Sequence, residues 1–77
     1  MQKEIISILS TITEDTTLPN WANGDTSIIN DIGLDSLQLI TFILTVEDTF
    51  SIQINFGEFD FEHLKSIHDF CLFLSRE

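Results

Sequence analysis

Ser36 stands between Asp35 and Leu37, where a segment with helically spaced apolar residues begins. A hydroxyl at a helix N-terminus is exposed, and the unpaired backbone N–H groups there favour a phosphate. A group joined to Ser36 as a phosphodiester would therefore be electrostatically welcome. The same residues have a plainer use, in which Asp35 or Ser36 caps the helix by accepting a backbone N–H. Local spacing leaves both readings open. Other chemistry finds little support. Asp31, Asp35 and Glu47 miss the calcium-loop pattern, because Gly33 and Leu37 fill the alternate positions. His63 and His68 are spaced so that one helix would not aim both at one ion, and both are expected to face solvent. Cys71 falls on an apolar stripe and reads as a small core residue. No histidine lies near Ser36 in sequence to serve as its base. A substrate pocket with its own catalytic groups is hard to fit into 77 residues. No metal site and no catalytic set are expected, so the chain does not read as an enzyme.

The element that positions Ser36 is a central helix predicted over Ser36 to Thr49. With a turn of about 100° per residue, Leu39, Phe42, Ile43, Val46 and Phe50 share one face, the core face. Leu37, Thr41, Leu44 and Asp48 share the opposite one, with Ile40 and Glu47 beside it. An outer face with apolar residues and terminal acids predicts a docking surface. Upstream, Ile5, Ile8, Leu9 and Ile12 form a stripe that predicts a helix over residues 3–13, widened by Ile6. Thr13 to Asn30 is predicted irregular, since Pro19 disfavours a helical Leu18. Leu18, Trp21, Ile28, Ile29 and Ile32 should pin this loop to the core, with Trp21 a packing anchor. Downstream, residues 51–56 alternate like a strand but have no partner strand, so they predict an extended connection. A short helix is expected within Gly57 to Leu64, with Phe59 or Phe61 and Leu64 turned inward. Ser66 should cap a last helix with the stripe Ile67, Phe70, Cys71 and Leu74. Asp69 and Arg76 would suit its two dipole ends.

Composition narrows the classes of partner. Thirteen acids against three bases give a net charge of -10. Phosphate-rich nucleic acid and anionic membrane surfaces would be repelled. Basic patches on other proteins would be attracted. An apolar fraction of 43% suits a globular chain. One cysteine excludes an internal disulfide and suits a reducing compartment. No apolar run could cross a bilayer, and the first residues do not form a secretory signal. A cytoplasmic, single domain over residues 1–77 is expected.

Gly33-Leu34-Asp35-Ser36-Leu37, preceded by Ile28-Ile29-Asn30-Asp31-Ile32, resembles the carrier-protein family. The resemblance continues through Glu47-Asp48-Thr49-Phe50 and Ile52-Gln53-Ile54, and so covers essentially the whole chain. That family comprises acyl carrier proteins and the related aminoacyl or peptidyl carriers. The resemblance implies an all-α, four-helix bundle of three main helices and one short one, with a long loop after the first. It implies a 4'-phosphopantetheine arm on Ser36, moved there from coenzyme A by a phosphopantetheinyl transferase. The arm's thiol would hold an acyl or aminoacyl group as a thioester, delivered by a loading enzyme and passed to a downstream synthase or transferase. Asp35 matches the acid that helps orient the transferase complex. Leu37, Thr41, Leu44, Glu47 and Asp48 match positions at which such carriers meet partners.

Two departures bear on the pathway. Thr41 stands where many fatty-acid carriers place an acid, and Asn55-Phe56 where they tend to have Pro and an acid. These favour a specialised pathway, such as polyketide assembly, over general fatty-acid synthesis. An aminoacyl or peptidyl carrier of nonribosomal assembly is the alternative on the same fold. An unmodified acidic adaptor, in which Ser36 only caps, is the alternative of another class. A start at Met and an end just past the last helix fit a stand-alone protein.

Overall fold

A computed structural model describes residues 1–55, 57 and 59–75. The expectations for Phe56 and Arg76 lie outside the described residues. Three principal helices carry the core: α1 (Gln2–Thr13), α3 (Ser36–Phe50) and α4 (Ile67–Leu74), with a single turn α2 (Leu18–Trp21) after the first. A π turn at Ile28–Ile32 and a 3-10 turn at Phe61–Leu64 complete the order. The result is an all-α bundle, with no strand among the described residues.

The periodic stripes become the core. Ile5 and Leu9 of α1, Phe42, Ile43 and Val46 of α3, and Ile67, Phe70, Cys71 and Leu74 of α4 are buried together. The Phe42 and Phe70 rings lie 5.1 Å apart at the centre. Ile8, Ile12, Leu39 and Phe50 pack at the edge of this cluster. Phe73, which the α4 stripe omits, is buried as well and stacks on His63 at 4.3 Å. His63 is therefore half-buried, contrary to the expectation of a solvent-facing ring. The 3-10 turn brings it onto Phe73, and its Nδ1 accepts the Asp60 N–H at 3.0 Å. His68 does face solvent.

The first loop corrects three expectations. Leu18 is helical despite Pro19, because Pro19 sits in the first turn of α2, where a missing N–H breaks no helical hydrogen bond. Leu18 is 1% exposed, so it is the anchor. Trp21 is 45% exposed and anchors nothing; Leu18 and Ala22 fill the core side of that turn. Ile28 enters the core while Ile29 stays exposed, since neighbours in a turn diverge.

Hydrogen bonds do much of the pinning that side chains were expected to do. Thr26, itself buried, accepts the Ile67 N–H on its carbonyl at 2.9 Å, and Gly24 accepts the His68 N–H at 2.9 Å. These are the first two amides of α4, donors that lack partners within a helix. Ser66 accepts the Asp69 N–H and completes the cap. Ser27 accepts the Asn30 N–H, and Asp31 accepts the Ser27 N–H, which closes the π turn. Gly33 ends that turn at φ 75, a left-handed conformation that favours glycine.

After α3 the chain turns at Ser51, and residues 52–55 follow with no regular secondary structure. Phe59 packs against the core, Leu64 is buried and Phe61 is exposed, so the inward pair is Phe59 and Leu64. The short helix is confined to one 3-10 turn.

Removing the ring at the helix junction should be severe. Phe42→Ala is expected to cost about 3–5 kcal/mol, read as a lower urea midpoint with a similar slope.

Candidate functional site

Asp35 decides where α3 begins. Its backbone is extended, and its Oδ1 accepts the Gln38 N–H at 2.7 Å. Gln38 Oε1 accepts the Asp35 N–H at 3.2 Å in return. This reciprocal capping box satisfies donors at both ends of the first turn. Its signal in the sequence is Asp35-x-x-Gln38, an acid followed three residues later by a glutamine.

Ser36 is consequently the first residue of the helix and not its cap. It is exposed, and among the described residues its hydroxyl has no hydrogen-bond partner. The capping role left open for Ser36 is thus filled by Asp35 alone. No acid lies within the first turn of α3, so the positive end of the helix is offset only by the Asp35 cap. An anionic ester on Ser36 would meet free amides and no neighbouring carboxylate inside the helix.

Leu37, Leu44 and Ile40 are 75%, 56% and 57% exposed, a high value for three large apolar side chains on one helix. Thr41 and Asp48 are exposed beside them. Thr41 donates its hydroxyl hydrogen to the Leu37 carbonyl at 3.0 Å. The structure therefore keeps Asp35, Ser36, Leu37, Thr41, Leu44 and Asp48 on the accessible side of α3. Glu47 is different: it is half-buried, and its Oε2 accepts the Ile54 N–H at 2.7 Å.

One turn along from Ser36, an apolar cleft of about 230 Å³ opens between α3 and the following segment. Leu39, Ile40, Ile43 and Leu44 form one wall, and Phe59 and Phe61 form the other. Sequence periodicity missed it because its second wall comes from an irregular segment. No group of three or more metal-ligating side chains gathers among the described residues. Burial pushes the Cys71 thiol up, so this thiol is poorly suited to act as a nucleophile.

A free hydroxyl on a capped helix start, next to an apolar cleft, fits a phosphate-linked arm carrying an apolar end. The comparisons agree. The model of the phosphopantetheine attachment site family matches residues 3–74. An acyl carrier protein of Kineococcus radiotolerans is 31% identical over 77 residues, spanning 97% of this chain and 93% of that protein. An acyl carrier protein of Bdellovibrio bacteriovorus is 29% identical over 59 residues, spanning 77% of this chain and 73% of that one. No solved structure matches the chain at a significant level. The match over nearly the whole length means that this chain belongs to the phosphopantetheine-attachment family of carrier proteins, which hold 4'-phosphopantetheine covalently.

Proposed function

We propose that the chain is an acyl carrier with Ser36 as its attachment point, working as one domain over residues 1–77. The observation that carries this reading is the division of labour at α3. Asp35 makes the cap, and Ser36 keeps an exposed hydroxyl with no partner among the described residues. In the transfer from coenzyme A, Ser36 Oγ attacks the phosphorus that bears the pantetheine: the Oγ–P bond forms as the pyrophosphate P–O bond breaks, adenosine 3',5'-bisphosphate leaves with the bonding pair, and the hydroxyl proton passes to a base of the transferase. The helix amides stabilise the charge beside it. When bound, the arm supplies a thiol that holds cargo as a thioester. The chain itself performs no catalysis; tethering raises the effective concentration of the cargo at each partner enzyme.

An acyl cargo is supported by the cleft, whose lining is apolar throughout and whose near end lies one turn from Ser36. The partners are a phosphopantetheinyl transferase, a loading enzyme and a downstream synthase or transferase. Leu37, Thr41, Leu44 and Asp48 meet them, and the net charge of -10 steers the encounter toward basic surfaces. Asp35 orients the transferase as well as capping the helix. The neutral Thr41 supports a specialised pathway, of the polyketide kind, over general fatty-acid synthesis. The same neutral position supports the second reading, an aminoacyl or peptidyl carrier. A cytoplasmic setting is supported by the single cysteine. No described helix is long and apolar enough to cross a membrane.

Incubation with coenzyme A and a broad-specificity transferase should add the arm's mass to the chain and nothing to Ser36→Ala. An unmodified wild type would remove the carrier reading. Stability should divide the other way. Asp35→Ala is expected to cost about 1 kcal/mol as a lost cap, and Ser36→Ala to stay within about 0.5 kcal/mol of wild type. Urea titration of the two variants checks this. Leu44→Glu should slow turnover by downstream enzymes about fivefold or more, measured as kcat/KM with the loaded carrier as substrate.

A further inference from the structure

Glu47 matches a partner-facing position, yet its carboxylate is occupied inside the chain. Its Oε2 accepts the Ile54 N–H at 2.7 Å, and Ile54 is buried. A charge-assisted hydrogen bond of this length from the amide of a buried residue to a half-buried carboxylate is among the stronger single contacts a surface element can have. The contact lies at a mechanical junction. Ser51 has just turned the chain at φ 55, and the Ile52 N–H returns to the Glu47 carbonyl at 3.1 Å. Beyond Ile54, the Asn55 carbonyl accepts the Phe59 N–H at 3.1 Å. Phe59 is one of the two rings that face α3 across the apolar cleft. Its far side rests on Phe73 at 5.7 Å and His63 at 6.0 Å, so the ring is braced from behind. On the chain side, the wall is tied to α3 where Glu47 accepts the amide of Ile54, the residue before the Asn55 carbonyl that holds Phe59.

We propose that Glu47 is a positioning residue for the cargo cleft, which ties the Phe59 wall to α3 through Ile54. The part concerning cargo rests on the acyl-carrier reading given above. Reach, not charge, is the property this role needs. Two conservative variants separate the two. Glu47→Gln keeps an acceptor oxygen at the same reach and loses the charge. Glu47→Asp keeps the charge and draws the carboxylate back by one methylene.

The full chain, unmodified and then loaded from octanoyl-coenzyme A by a broad transferase, is compared in the three forms. Glu47→Asp is expected to raise amide exchange at Ile54 about tenfold and to shorten the octanoyl thioester's half-life several-fold. Glu47→Gln, which keeps a weaker neutral acceptor in reach, is expected to raise Ile54 exchange by no more than about threefold and to leave the thioester half-life near that of wild type. A normal Ile54 amide in Glu47→Asp overturns the proposal. So does equal loss in both variants, or loss in Glu47→Gln alone, the pattern of a charge that serves docking. Faster exchange without faster thioester loss overturns the role in the cleft. If the wild type gains no mass, the acyl-carrier reading has failed instead, and exchange in the unmodified chain still decides whether Glu47 holds Ile54.

Discussion

The position of the first turn of α3 is set by one carboxylate. Asp35 accepts the Gln38 amide and so fixes the residue at which helical geometry starts. Everything functional on this chain is counted from that point. A start one residue later would make Ser36 the cap and consume its hydroxyl. As it is, the acid makes the cap and the neighbouring hydroxyl stays exposed, with no partner among the described residues. Such pairing solves a conflict inherent in helix N-termini, where the groups that attract an anion are those a cap would satisfy.

From Ser36 the helix has two functional sides. One carries Leu37, Thr41, Leu44 and Asp48 outward, apolar surface with an acid at its far end. On the other, Leu39, Ile40 and Ile43 form half of an apolar cleft, and Leu44 borders both. A single helix thus carries the proposed anchor, an exposed apolar strip and one wall of the cleft within four turns. The segment after α3 supplies the opposite wall, and its placement depends on backbone hydrogen bonds more than on periodic packing.

That difference explains what the sequence made legible. α1, α3 and α4 were readable because their apolar residues repeat at the helical period, and burial follows that period closely at Ile5, Leu9, Phe42, Val46 and Phe70. Ser36 and its neighbours were readable from residue types and from family resemblance. The one-turn helix at Leu18 was not, because proline is a breaker inside a helix but harmless in its first turn. Trp21 and Ile29 were misplaced because short turns impose no period from which to infer a side. The bond from the Ile54 amide to Glu47 was not readable, because a contact seven residues apart leaves no trace in local pattern. Phe73 and His63 pair through tertiary stacking, which composition alone does not announce.

The cap on α4 has a consequence for how the molecule holds together. Its opening amides are satisfied by carbonyls of Gly24 and Thr26, contributed from the other half of the chain. Neither the early loop nor the terminal helix can therefore loosen without exposing the other. A cut in the 23–26 stretch would therefore weaken the first turn of the C-terminal helix as well, while its buried stripe still holds it to the core. A small carrier handed from enzyme to enzyme gains from this seam a shape that yields all at once or not at all.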